Sequence, residues 1–153
     1  MLMLASLLLA VVAPVPSSPL AGLHGLVGSW SCTYHAGGTD FAYRTTYTYD
    51  RDGHILRQTA SWTGGGDEEY VAYDALHRRW TATVLDDGGN ATVMRAPGSD
   101  PNHIAYHSVY PDASMAVTFD RLSATQYALH ATVRSGGNTT TSVDTCKKTT
   151  AGV

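Results

Sequence analysis

Charge is what this chain has least of. Only 15% of its 153 residues are Asp, Glu, Lys or Arg, and the formal net charge is -3. The ten basic side chains are scattered, apart from the pairs Arg78-Arg79 and Lys147-Lys148. No basic stripe exists to track a phosphate backbone, so nucleic-acid binding has no electrostatic support. Short catalytic motifs are missing as well. There is no His-Glu-x-x-His, no Cys-x-x-Cys, no Gly-x-Ser-x-Gly elbow and no phosphate-binding glycine loop. Any catalytic group would have to be assembled from distant residues.

Long apolar runs are missing too, except at the start. Residues 1–13 form one apolar run followed by Pro14, Pro16 and Pro19. A run of that length suits a secretory leader and is too short to cross a membrane. No Lys or Arg precedes it, which departs from the usual leader pattern. Residues 1–21 are expected to be the signal peptide, with Ala21 the last residue removed and 22–153 the mature domain. Ser29-Trp30-Ser31 before Cys32 is not a small-residue lipoprotein signal, so no lipid anchor and no remaining span are expected. The expected destination is a periplasm or the cell exterior.

What the chain has is turn and strand chemistry. Fifteen Gly, nine Tyr and abundant Thr punctuate short alternating runs, while helix formers are scarce after the leader. Ten strands are expected, over 30–35, 41–49, 54–62, 68–73, 79–85, 91–95, 104–110, 115–119, 126–134 and 139–148. Period-two alternation groups Tyr43 and Tyr47 with Phe41, and Leu56 and Gln58 with Trp62. The same parity groups Trp80 with Val84, Phe119 with Met115, and Tyr127 with Leu129. Short spacing and tight turns imply an antiparallel meander. A sheet with one apolar face buries it by curling closed, which also removes the unpaired edges.

In a closed meander of ten strands the first and last are antiparallel neighbours. Two cysteines in an exported chain usually form one bridge, and Cys32 to Cys146 would staple that seam. The alternative, two free thiols, requires the leader to be misread. The bridge would restrict the unfolded chain by about 4–5 kcal/mol on the loop-entropy argument. Pairing 32 with 146 places Trp30 opposite Lys148 on one face, a cation–π cap worth roughly 0.5–1 kcal/mol.

Gly28-Ser29-Trp30 at the start of such a barrel, with a basic residue on the last strand, resembles the calycin superfamily of lipocalin-like barrels. The wider pattern is Leu26-Val27-Gly28-Ser29-Trp30-Ser31-Cys32, the Tyr-rich strand, Asp52-Gly53 and Ser61-Trp62. It resembles small exported bacterial lipocalin-like domains and is similar in rhythm to nitrobindins, ten-stranded barrels that hold haem through one histidine. The resemblance implies an all-β, antiparallel up-and-down barrel closed by Gly28, Trp30 and Lys148.

The sites follow from that geometry. An apolar interior with sparse polar groups suits a small apolar ligand, bound without catalysis. Its expected contacts are Tyr43, Tyr47, Leu56, Gln58, Trp62, Trp80, Phe119 and Tyr127. The competing reading is that these side chains simply fill the barrel, leaving the outer face or loops to bind a partner. No cofactor is expected on the residues alone. The nitrobindin similarity would imply haem and nitrogen-oxide chemistry, for which His54, at a strand start, and His107, if its face is reversed, are the candidate ligands. No metal site is expected, because His103 and His107 on one strand lie about 13 Å apart. Asp67-Glu68-Glu69 and Asp86-Asp87 read as solvated turn charges. Asn90-Ala91-Thr92 and Asn138-Thr139-Thr140 match the glycosylation sequon.

Overall fold

The computed structural model describes residues 18–149, so the apolar leader run lies outside the described residues. After a 3-10 helix (Pro19–Leu26) come ten strands. They are β1 (Gly28–Ala36), β2 (Thr39–Asp50), β3 (Ile55–Trp62), β4 (Gly65–Asp74) and β5 (Arg79–Asp86), then β6 (Ala91–Pro97), β7 (His103–Tyr110), β8 (Met115–Ser123), β9 (Gln126–Ser135) and β10 (Asn138–Lys148). Each pairs antiparallel with its chain neighbours, and β10 pairs with β1 to close the barrel. The expected all-β, up-and-down, ten-stranded barrel is the observed fold.

Tight hairpins make this order possible. Gly136 and Gly137 both take positive φ, +57° and +81°, and turn β9 directly into β10. The register is shortest between β6 and β7, where it extends only over 93–95 and is interrupted by a bulge between Val93 and Met94. Alternation then sorts the side chains. On β3, Leu56, Gln58 and Ala60 are buried, while Thr59 and Ser61 between and beyond them are exposed.

The seam is the expected one. Trp30 lies opposite Lys148, Cys32 opposite Cys146, and the two cysteines are bridged. Trp30 is only 1% exposed, and its indole N–H donates to the Leu26 carbonyl at 2.7 Å. Lys148 Nζ sits 5.5 Å from the indole centre and donates to the Gly25 carbonyl at 2.8 Å. Gly28 has φ +117°, and a Cβ there would lie 3.4 Å from Lys148 Cε. The glycine is required by that backbone conformation, since a Cβ would meet the lysine only at ordinary contact distance.

The 3-10 helix closes the same end of the barrel. Leu20, Leu23 and Leu26 are buried in the core, and the Tyr49 hydroxyl donates to the Leu20 carbonyl at 2.8 Å. The boundary expected after Ala21 falls inside this helix. Trp80, fully buried, packs edge-on to Tyr73 at 5.0 Å, also near this end. No helix among the described residues is long and apolar enough to cross a membrane.

One boundary error matters. The sequence places the start of the fourth strand at 68, after the glycines at 64–66. Instead β4 starts at Gly65, and Gly65 and Gly66 pair with Trp62 and Ser61. Asp67 and Glu69 are therefore strand residues. They are not the solvated turn charges the sequence suggested.

Candidate functional site

The closed end carries the 3-10 helix, and the hairpins β1–β2, β3–β4, β5–β6, β7–β8 and β9–β10 ring the other. Between them lies a cavity of about 410 Å³. It runs from Leu23 and Leu26 under the helix to Phe41 and Trp62 toward the hairpin rim. Phe41 is 38% exposed, so the lining reaches solvent at that rim. Most of the wall is aliphatic or aromatic, including Met94, Ile104, Tyr106, Met115 and Val117.

Of the eight residues expected to contact a ligand, Tyr43, Tyr47, Leu56, Gln58, Trp62 and Phe119 line the cavity. Trp80 and Tyr127 do not. Both face inward, but at the closed end, where inward means packed. Trp80 is wedged beside Tyr73, and Tyr127 lies against Trp30 at 4.9 Å. The Tyr127 hydroxyl accepts a hydrogen bond from Tyr47 at 3.0 Å. Strand parity separates inside from outside but cannot separate plug from pocket.

The histidines proposed for haem lie elsewhere. His54 is exposed in the turn before β3. His107 is exposed between the buried Tyr106 and Ser108 on β7, so alternation directs it outward. No described histidine lines the cavity. The residues present do not fit an iron-bound haem in this cavity through His54 or His107. Other imidazoles pair with outer-face carboxylates, as His103 does with Asp120 at 2.6 Å and His35 with Asp40 at 2.9 Å.

Three carboxyl groups that sequence reasoning passed over do line the cavity: Asp67, Glu69 and Asp144. Asp67 and Glu69 share the inward parity of Val71 on β4. Asp144 shares the parity of Cys146 on β10. That second relation was readable, because a bridged cysteine fixes which face of its strand is buried. Burial pushes the Glu69 carboxyl up to about 7, and neighbouring Asp67 adds to the rise. Burial likewise raises Asp144 to about 6, with the nearby Tyr43 hydroxyl and His35 opposing and Asp67 reinforcing. That hydroxyl has hydrogen-bond geometry to Cys146 Sγ at 3.8 Å, which leaves Asp144 weakly compensated. Asp67 is also raised, by burial first and then by Asp86 and Asp87. Asp67 Oδ1 and Asp144 Oδ1 are buried without a hydrogen-bond partner among the described residues. A carboxyl titrating near neutrality is able to exchange a proton with a molecule held beside it.

No protein-family model and no curated protein sequence matches this chain. Solved structures do. An S-type phycobiliprotein lyase from Guillardia theta superposes with a TM-score of 0.59 at 11% identity, covering 90% of this chain and 96% of the lyase. A zebrafish ileal bile acid-binding protein complexed with cholic acid gives 0.55 at 13% identity, covering 82% of this chain and 99% of that one. At such identities the likeness concerns the fold. It is the closed antiparallel β-barrel that they share.

Proposed function

We propose that this barrel is an exported carrier of the lipocalin-like kind, holding a small, largely apolar molecule in its interior without transforming it. The observation that carries the reading is the cavity of about 410 Å³ with its aliphatic and aromatic walls. That size and lining suit a small-molecule pocket, and a filled barrel would have no such space. The bile acid-binding neighbour, with cholic acid bound, and the lyase of bilin-carrying proteins support a barrel of this design as a small-molecule container. The bridged cysteines support an oxidising, exported setting.

The test is solvent extraction of purified protein followed by mass spectrometry, together with titration of an apolar fluorescent probe. Saturable probe binding is expected, weakened at least tenfold by Val133→Trp, which would project an indole into the cavity. Absence of both a bound molecule and probe affinity would sink the reading.

A further inference from the structure

The cavity contains three carboxyl groups and, among the described residues, no Lys, Arg or His. That charge pattern is the opposite of what an acidic ligand needs. A carboxylate placed in this space would meet like charge in a poorly solvated interior, where such encounters are most unfavourable. We propose that the ligand is an apolar molecule bearing a protonated amine, with its ammonium end held between Asp67 and Glu69 of β4 and Asp144 of β10. This rests on the reading that the cavity binds an apolar molecule, and it names the polar end of that molecule.

The topology sets the carboxylates on facing walls. Passing from β10 through β1, β2 and β3 to β4 takes four steps round a ring of ten strands, nearly half the circumference. Asp67 nevertheless raises the proton affinity of Asp144, as an acid directed into the same space does. Asp67 Oδ1 and Asp144 Oδ1 are buried and lack partners among the described residues, and the half-buried Glu69 adds a third carboxyl to the same lining. Buried polar oxygens are normally paired, so these acceptors point to a missing donor. An ammonium supplies donors and countercharge together.

A bound metal would be the obvious rival. Among the described residues, however, no three His, Cys, Asp or Glu side chains converge closely enough to hold one. An ammonium hydrogen-bonds at about 2.7–2.9 Å, beyond metal–oxygen bond lengths, and does not require all three carboxyls to converge on it. Aromatic faces favour a cation too. Phe41 stacks on Tyr34 at 4.7 Å and lies 6.4 Å from Trp62, all three lining the cavity toward its rim. Such rings attract ammonium groups through their π faces. Asp86 and Asp87, near enough to perturb Asp67, extend the negative field onto the rim and would draw cations in. The aliphatic wall beyond, down to Leu23 and Leu26, receives the tail.

Three probes of equal chain length separate the possibilities: decylamine, decanol and decanoate, titrated into the full mature protein by calorimetry at pH 8. Decylamine is expected to bind at least tenfold more tightly than decanol, and decanoate more weakly than decanol. Glu69→Gln and Asp144→Asn, each nearly isosteric, are expected to lower the decylamine-to-decanol affinity ratio at least fivefold. Equal binding of decylamine and decanol, tighter binding of decanoate, or an unchanged ratio in both variants would overturn the amine assignment while leaving the apolar cavity in place. Failure of all three probes would overturn both.

Discussion

Trp30 and Trp80 offer a matched pair of perturbations. Both indoles are essentially buried, at 1% and 0% exposure, and both lie in the closed half of the barrel. Their N–H groups differ. That of Trp30 donates to the Leu26 carbonyl at 2.7 Å, whereas that of Trp80 has no partner among the described residues. Replacing each by Phe removes a similar ring volume, so that contribution largely cancels in the comparison. Trp30→Phe also loses a hydrogen bond worth about 1 kcal/mol and leaves a carbonyl unpaired at a further cost of about 1–3 kcal/mol. Trp80→Phe removes an unsatisfied donor and recovers about 1–3 kcal/mol, offsetting its packing loss. The Trp30 variant should therefore be the less stable of the two by roughly 3–7 kcal/mol. Urea denaturation followed by far-ultraviolet circular dichroism measures this, provided the m-values agree. If Trp80→Phe proves as costly as Trp30→Phe, the assignment of the Trp30 bond as the fastening of the plug is refuted.

Two further outcomes follow from the same interior. The Glu69 and Asp144 carboxyls, raised to about 7 and about 6 from 4.5 and 3.8, bind protons more tightly folded than unfolded. Stability should therefore rise as pH falls from 8 to 5, by an amount on the order of 3 kcal/mol for Glu69. The groups facing Glu69 are Asp67 on its own strand and the Tyr43, Tyr47, Tyr106 and Tyr127 hydroxyls from β2, β7 and β9, none of which supplies a positive charge. Glu69→Gln should flatten the profile of Tm between pH 5 and 8, and an unaltered slope would contradict the assignment. A chain beginning at residue 22 should be less stable than one beginning at residue 18, by about 3 kcal/mol or more. It forfeits the burial of Leu20 and the hydrogen bond from Tyr49. Equal chemical denaturation midpoints would show that Leu20 contributes nothing.

The fold was legible because its signals are local. Period-two alternation and glycine turns mark ten strands, and closure makes the two cysteines meet, which sets the register of Trp30 against Lys148. The cavity was legible only in part. Tyr43, Leu56 and Trp62 line it as their parity requires, yet Trp80 and Tyr127 obey the same parity and pack into the plug. Depth along the barrel axis depends on which end the 3-10 helix covers, and that is a tertiary fact. Asp67 was hidden by habit, because an acid after three glycines looks like a loop and only the pairing of Gly65 with Trp62 shows that the strand has already begun. Glu69 lies inside the expected strand 68–73, yet in the sequence it reads as a turn charge. His107 illustrates the converse, since its parity alone placed it outside.

The bridge across the seam also governs how the barrel can breathe. Residues 32 to 146 form one covalent circuit, so the first and last strands cannot part at Cys32 and Cys146 as an unclasped bracelet would. Widening must come from elsewhere on the ring. The β6–β7 junction, short in register and interrupted by its bulge, lies six strands from the seam in one direction and four in the other. With the clasp on one side and the short junction nearly opposite, the ladder that has fewest pairs to lose lies as far round the ring from the bridge as the closed topology nearly permits.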